Sequence, residues 1–298
     1  MDEKWLVYLL VCSGATLWGI YNVLQKKLFR DRNAPTEVSV VATMLGASAF
    51  LFGAQFVQFG SPHVSTLFWG FFALTSILNV GIIYGGNQAL KMEDASIVSP
   101  LQGITPIFVI LTSWIILKEF PTVWGLVGIA TTVFGVYLLA LKRSDVRSIK
   151  SFAAPWSRLL RSDGARLALA TALLGSISLN FDKLVVLHST QAMRGASVFL
   201  AVAVVVLCIS VVRGQWQKLD KSCFLPLFGI GLLIGASNLL MDWGFVFAFG
   251  IVPYVGSLKR FQVIVTTILA GVFLHEGDWA FRIVASAIIF GGILLIAF

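Results

Sequence analysis

The sequence predicts an all-α membrane protein with ten transmembrane helices that form two inverted five-helix repeats. Three observations predict this fold class. Only 12% of the 298 residues are charged and 58% are hydrophobic, whereas soluble domains carry about 25% charged residues. Apolar runs of roughly 20 residues, the length that crosses a bilayer, recur along the chain. The two halves of the chain also resemble each other in sequence.

Short polar breaks separate the apolar runs. Each run is expected to be helical, because a bilayer offers no water to backbone groups that lack internal hydrogen bonds. The predicted spans are residues 5–26, 36–58, 65–90, 95–117, 122–141, 165–187, 195–213, 224–248, 252–274 and 279–298. The first span is long and follows two acidic residues, so it does not have the pattern of a cleaved signal peptide.

An ungapped alignment of residues 99–119 with residues 256–276 indicates the internal duplication. Glu119 matches Glu276 in this register, and the two glutamates end their helices at opposite surfaces. We expect them to have a structural role, such as bonding to the start of another helix, rather than to contact substrate.

The domain boundaries follow from this duplication. Residues 1–141 form the first five-helix repeat and residues 164–298 the second. An odd number of spans in each repeat requires the second copy to be inverted in the membrane. Residues 142–163 form a basic, partly amphipathic connector, which either lies in the headgroup region or is a solvated linker.

Several classes of function are excluded by the same composition. The net charge of +8 comes from residues in short loops between apolar runs, which is typical of membrane anchoring and does not indicate nucleic acid. Cysteine and histidine residues are scattered, so no metal site and no cofactor is expected. The chain has no Walker A motif, which excludes ATP hydrolysis.

Three stretches carry a resemblance to a known family. They are LWGIYNVLQK at 17–26, the stretch 84–139 that contains SPLQGITPIFVILTSWIILKE, and VGSLKRFQVIVTTILAGVFLHE at 255–276. With these residues the chain resembles the EamA-like branch of the drug/metabolite transporter superfamily. The resemblance implies a ten-helix bundle, a substrate held in a central cavity and alternating access. It does not imply a particular substrate.

We therefore expect a secondary active transporter that exports a small polar or zwitterionic metabolite, and not an enzyme. The alternatives are a flippase for a lipid-linked group and, less favoured, a membrane enzyme or a structural subunit. The expected partners are the small-molecule substrate, membrane lipids, and a proton or counter-substrate. No nucleic acid partner is expected, and the oligomeric state is not predicted.

The positive charges of the loops lie mainly on one side of the membrane. That side carries Arg30, Arg32, Lys91, the basic connector, Arg213, Lys218, Lys221 and Arg282. The opposite side carries little beyond Lys4, Lys118 and Arg194, which we assign to a loop. In the cytoplasmic membrane of a prokaryote, this bias predicts a cytoplasmic connector and external termini. The family resemblance implies the opposite, with both termini inside; we follow the residues.

Charged residues inside the spans are the first candidates for a functional site, because charge at bilayer depth is costly. Asp242 and Lys259 stand at similar distances from the turn near residues 250–251, so they are predicted at similar depth in a helical hairpin. They face a shared polar cavity or form a structural ion pair. Arg260 points about 100° away from Lys259 and suits a carboxylate or phosphate.

Polar residues on the same or the equivalent helix faces complete the predicted site. The substrate-binding candidates are Asn22, Tyr84, Asn87, Gln88, Gln102, Asn180, Asn238, Asp242, Lys259, Arg260 and Gln262. Asp182 and Asp242 are candidates for proton coupling; the alternative for Asp182 is a local pair with Lys183. No catalytic residues are predicted.

Three prolines, Pro100, Pro106 and Pro253, lie in the opening stretches of the fourth and ninth spans. A proline removes a backbone donor and can kink a membrane helix. These positions are predicted to act as hinges or, especially for Pro253, to occupy a first helical turn.

Overall fold

The computed structural model describes residues 3–32, 36–92, 98, 101–140, 152, 156, 162–214, 221–247, 250–274 and 279–296. The described residues are predominantly helical and contain no strand, which confirms the all-α prediction. Tertiary contacts divide the chain into two units. Unit 1 contains residues 1–80 and 181–248, and unit 2 contains residues 81–180 and 249–298.

Every predicted span coincides with helical structure. The helices are α1 (Glu3–Arg32), α2 (Thr36–Ala54), α3 (Thr66–Met92), α4 (Thr105–Leu117), α5 (Val123–Ala140), α6 (Asp163–Leu187), α7 (Gln191–Val212), α8 (Lys221–Trp243), α9 (Val252–Leu258), α10 (Phe261–Leu274) and α11 (Trp279–Leu295). A π-helical turn (Gln55–Phe59) continues α2, and a 3-10 turn (Gly244–Val246) continues α8. The ninth predicted span is therefore two helices, α9 and α10, on either side of a tight turn at Lys259 and Arg260.

In the part of the chain that the structure describes, six helical segments are long and apolar enough to cross a membrane. They are Glu3–Gln25, Glu37–Phe59, Thr66–Gly86, Asp163–Leu187, Gln191–Val212 and Cys223–Val246. The segments Leu101–Leu117, Val123–Leu139 and Phe281–Leu295 are apolar but shorter. Exposed apolar side chains such as Ile77 and Val212 are typical of helices that face lipid. The arrangement as ten transmembrane helices in two inverted repeats stays a prediction.

The two units do not follow the predicted repeats, since each takes helices from both halves of the chain and the boundaries fall within α3 and α6. The division at residues 141 and 164 therefore remains a prediction from sequence. Most of the connector 142–163 lies outside the described residues. Within it, Phe152 packs edge-on against Tyr137 of α5, and its carbonyl accepts a hydrogen bond from the Tyr137 hydroxyl at 2.5 Å.

Unit 1 is packed around α2 and α8, with α1 and α7 against them. The apolar core includes Leu51 and Ile234, both fully buried. Close approach of α2 and α8 depends on Gly46 and Gly231, because a Cβ on either glycine would overlap backbone atoms of the opposite helix. Small residues at helix contacts are the usual means by which membrane helices pack closely.

Unit 2 contains a second close helix pair, α5 and α11. Gly128 and Gly292 face each other: a Cβ on Gly128 would lie 2.6 Å from the Gly292 carbonyl oxygen, and one on Gly292 would lie 2.5 Å from Thr132 Oγ1. The two backbones are therefore in direct contact. The shorter helices α4 and α9 pack beside this pair. The helices α5 and α11 both contribute residues to the cavity described below.

Candidate functional site

A buried ion-pair cluster lies within unit 1, centred on Arg194 of α7. Arg194 is 3% exposed, and its guanidinium contacts carboxylates from two other helices. Its Nε–H donates to Asp242 Oδ2 of α8 at 2.6 Å, and an Nη2–H donates to the same oxygen. Its Nη1 lies 3.5 Å from Asp182 Oδ1 of α6. One cation is therefore shared between two carboxylates.

Neutral side chains complete the hydrogen bonding of this cluster. Arg194 Nη2 donates to Asn238 Oδ1 at 2.6 Å, and Thr75 Oγ1 of α3 donates to Asp182 Oδ1 at 2.6 Å. Gly195 leaves room for Asn238, since a Cβ there would lie 2.6 Å from Asn238 Oδ1. Such partners are required because a buried charge without them is strongly destabilising. The cluster links α3, α6, α7 and α8 through polar contacts.

Three of the predicted site residues, Asp182, Asn238 and Asp242, meet in this cluster, but its central residue was missed. Arg194 was assigned to a loop, and that assignment is wrong, because α7 begins at Gln191 rather than at 195. Thr190 caps the helix by accepting the Met193 N–H at 3.0 Å. Threonine before an apolar helical pattern is an N-cap signal that could have placed Arg194 inside the helix.

The predicted partner of Asp242 was Lys259. Asp242 lies in unit 1 and Lys259 in unit 2, and their pairing stays a prediction. Within its own unit, Asp242 is fully buried against Arg194. Its carboxylate is thus neutralised by a residue that the sequence reasoning did not consider.

A different kind of site lies in unit 2, where the helices of the aligned segments 99–119 and 256–276 are both broken. Residues 101–103 are helical, Ile104 is a turn, and α4 follows. Pro106 explains this break, because it has no N–H to donate to the Gln102 carbonyl. The Thr105 hydroxyl donates to that carbonyl instead, at 2.6 Å. Pro106 and Pro253 both occupy the first turn of their helices, as predicted for Pro253.

The second break, between α9 and α10, is a tightened turn with no proline. The Arg260 N–H donates to the Ser257 carbonyl at 2.9 Å, and the Val263 N–H donates to the Arg260 carbonyl at 2.9 Å. Both bonds span three residues instead of four, which is the 3-10 pattern. Arg260 aligns with Gly103, so the two breaks fall at nearly the same place in the two halves of the sequence.

Glu119 holds the start of α9. Its Oε2 accepts the Val252 N–H at 2.8 Å and the Ser113 hydroxyl at 3.3 Å. A carboxylate at a helix N-terminus satisfies a backbone donor and complements the helix dipole. The expected structural role of Glu119 is consistent with this contact, whereas Glu276 lies outside the described residues.

A cavity of about 310 Å³ lies beside the two breaks, entirely within unit 2. Its lining residues come from the segment before α4, from α5, from the second break with α10, and from α11: Gln102, Gly103, Val136, Leu139, Arg260, Val263, Thr267 and Arg282. Gln102 is held in place because its Nε2 donates to Thr171 Oγ1 of α6 at 3.1 Å. The cavity thus combines two arginines with neutral polar and apolar groups.

The other predicted site residues are distributed over both units. Asn22 is half-buried in unit 1; Tyr84, Gln88, Lys259 and Gln262 are partly exposed in unit 2. Asn180 is fully buried, and its Nδ2 donates to Thr112 Oγ1 of α4 at 3.0 Å. The side chain of Asn87 lies outside the described residues. Gln102 and Arg260 are the predicted residues among the described ones that line the cavity.

Metal binding has no support in the part of the chain that the structure describes, where no three His, Cys, Asp or Glu side chains are grouped to hold an ion.

Comparison with known proteins gives one family and one fold. Residues 5–141 match the model of the EamA-like transporter family. No curated protein matches the sequence. A protein of known crystal structure is similar with a TM-score of 0.76 and 16% identity, over 97% of this chain and 95% of that chain. At 16% identity, this similarity shows a shared fold and gives no information about function.

Proposed function

Residues 5–141 belong to the EamA-like transporter family of the drug/metabolite transporter superfamily, and from this premise we propose that the chain exports a small polar or zwitterionic metabolite by secondary active transport. With its six long apolar helices, the chain is an integral, multi-pass membrane protein. Family members are transporters and not enzymes, which fits the predicted absence of catalytic residues.

The cavity beside the broken helices is the observation that carries this proposal. Membrane helices are interrupted where a polar cavity or a neighbouring group satisfies the backbone, and transporters commonly bind substrate at such interruptions. The cavity in unit 2 lies next to two of them and is lined by Gln102, Thr267 and two arginines. Its volume of about 310 Å³ is at the lower end of small-molecule pockets. A small polar solute fits it.

Alternating access requires elements that bend without unfolding. The turns at Ile104 and at Lys259–Arg260 keep helical hydrogen bonding in tightened form, so each can change the direction of its helix at a small cost. We propose that these two turns are the hinges, and that their movement exposes the cavity to one side of the membrane at a time.

The coupling ion in this proposal is a proton bound by the unit 1 cluster. Two carboxylates, Asp182 and Asp242, share the guanidinium of Arg194. A proton carried by one of them would leave the other paired with Arg194, and charged residues inside membrane spans are the usual elements of proton relays.

We propose that the chain lies in the cytoplasmic membrane of a prokaryote, and the loop charges support a cytoplasmic location for the connector. Under this orientation both termini are external. The proposal follows the residues rather than the usual arrangement of the family.

Transport is tested directly in everted membrane vesicles, where an exporter accumulates solute. Amino acids, amines, sugar phosphates and nucleotide sugars are supplied as labelled solutes, with and without an imposed pH gradient. We expect one class to accumulate, and Arg260→Gln to abolish accumulation while the exposed control Arg166→Gln leaves it unchanged. Asp182→Asn should retain exchange of solute across the membrane but lose the response to the pH gradient.

Two results would contradict the proposal. Accumulation that is equal with and without the chain for every solute would exclude metabolite transport by this protein. Movement of a fluorescent lipid analogue between leaflets, without solute uptake, would identify the flippase alternative instead.

A further inference from the structure

We propose that the cavity in unit 2 binds an anionic group of the transported solute, a carboxylate or a phosphate, through Arg260 with Arg282 beside it. This inference rests on the proposed function, because it takes the cavity to be the place where the solute binds. It adds the chemical class of the solute, which neither the family nor the fold provides.

The first observation is the charge of the cavity wall. Arg260 comes from the break between α9 and α10, and Arg282 comes from α11. None of the described residues that line the cavity is acidic; the others are Gln102, Thr267 and small or apolar residues. The wall therefore has two guanidinium groups and, among its described residues, no carboxylate, a composition that suits an anion better than a cation.

The second observation is that Arg260 has no carboxylate partner among the residues that the structure describes. Its Nε is buried without a hydrogen-bond partner among the described residues. Arg194 is a useful comparison, because it is a buried arginine with a structural role. Its Nε and Nη2 groups both donate hydrogen bonds to acceptors in unit 1. By contrast, the Nε of Arg260 bonds to no acceptor in the described part of the chain, and the proposal assigns to it the anionic group of the solute.

The third observation concerns the shape of the donor group. An arginine binds a carboxylate or a phosphate through two parallel N–H groups, which gives direction as well as charge. Gln102, fixed by Thr171, and the hydroxyl of Thr267 provide neutral contacts for the remainder of a small solute. A free metabolic acid and the phosphate of a lipid-linked group share this chemistry, and the test separates them.

The test measures binding to the purified protein in a neutral detergent by the shift in its thermal unfolding midpoint. The soluble probes are succinate with succinamide, and glycerol 3-phosphate with glycerol, so that each acid has a neutral partner of similar size. Phosphatidylglycerol and phosphatidylcholine in mixed micelles test the lipid source. A ligand that binds only the folded state raises the midpoint by an amount that grows with the logarithm of its concentration divided by its Kd, so a series of concentrations gives the Kd.

We expect at least one acid to raise the midpoint while its neutral partner does not. Arg260→Gln should raise the Kd of that acid at least tenfold, and Arg282→Gln should raise it less. Arg166→Gln, which removes an exposed arginine of the same unit, should leave it unchanged. If Arg260→Gln does not fold, Thr267→Val, which keeps the shape of the side chain, should still weaken the effect measurably.

Equal shifts from the acids and their neutral partners, or no shift from any acid, would overturn the inference. So would full retention of acid binding in both Arg260→Gln and Arg282→Gln. A shift from phosphatidylglycerol alone would support anion binding but assign it to a lipid. Acid binding without transport in vesicles would contradict the proposed function while leaving the anion site intact, so the two failures are distinguishable.

Discussion

Replacing Arg194 with glutamine tests whether the unit 1 cluster stabilises the fold. The substitution removes the donors to Asp242 and Asn238 and the ion pair at 3.5 Å to Asp182. Asp242 would then be a fully buried carboxylate that has lost its guanidinium. Breaking a buried ion pair costs about 3–5 kcal/mol, which corresponds to more than a hundredfold change in the folding equilibrium at about 1.4 kcal/mol per tenfold.

Arg166 provides a matched control, because it forms a salt bridge with Asp163 at the surface. The side chain of Arg166 is 59% exposed and that of Asp163 is 77% exposed. The same Arg→Gln change there should cost about 0–1 kcal/mol, since solvent screens an exposed pair. Asp242→Asn should lie between the two, at about 1–3 kcal/mol. The amide oxygen of the asparagine can still accept a hydrogen bond from Arg194, and the ion pair between Arg194 and Asp182 remains.

Equilibrium unfolding in mixed micelles measures the free energy of unfolding of each variant. The double variant Arg194→Gln with Asp242→Asn should lose less stability than the sum of the single losses, because the second change removes the buried charge whose guanidinium partner the first change removes. If Arg194→Gln costs no more than Arg166→Gln, or if the two single losses add, the cluster does not stabilise the fold in the way described.

Three further predictions concern packing, capping and orientation. Gly292→Ala should destabilise the protein by about 1–3 kcal/mol through overpacking, because its Cβ would lie 2.5 Å from Thr132 Oγ1; Gly291→Ala, with no atom within 4 Å, should not. Tyr254→Phe should cost about 0.5–1.5 kcal/mol, because the hydroxyl donates to Thr122 Oγ1 at 3.1 Å; no change in unfolding would refute this. A periplasm-specific reporter fused to the N-terminus should be active, and a cytoplasm-specific one should not.

The positions of the helices could be predicted from the sequence, because a segment that crosses a lipid bilayer must be apolar over about 20 residues. Each predicted span coincides with helical structure, and the largest local difference is the turn at Lys259–Arg260. The hydropathy pattern gives no sign of that turn, because the flanking residues Leu258 and Phe261 are both apolar and no proline is present there. The break before Pro106, in contrast, lies where the missing backbone donor predicts a disruption.

The candidate sites were predicted less completely, because side-chain partners depend on which helices pack together. Asp242 was recognised as a buried charge, but its contact with Arg194 joins residues far apart in sequence. Arg282 was assigned to loop charge, although it lines the cavity together with Arg260. A hydropathy profile places a charged residue near a helix end in the adjoining loop. The packed structure shows that the side chain of Arg282 lines the cavity.

The two broken helices are not equivalent as moving parts. At the first break, Pro106 can never donate a backbone hydrogen bond, and the Thr105 hydroxyl already occupies the Gln102 carbonyl. The missing backbone bond there is therefore permanent, and movement at this hinge can change the angle of the bend but cannot close the break. At the second break every residue from Ser257 to Val263 carries an N–H, so its bonds can change from three-residue to four-residue spacing without leaving a donor unpaired. Such a change would rotate Arg260 about the helix axis. Of the two hinges, the second could therefore switch between two patterns of hydrogen bonding, whereas the first could only change its angle.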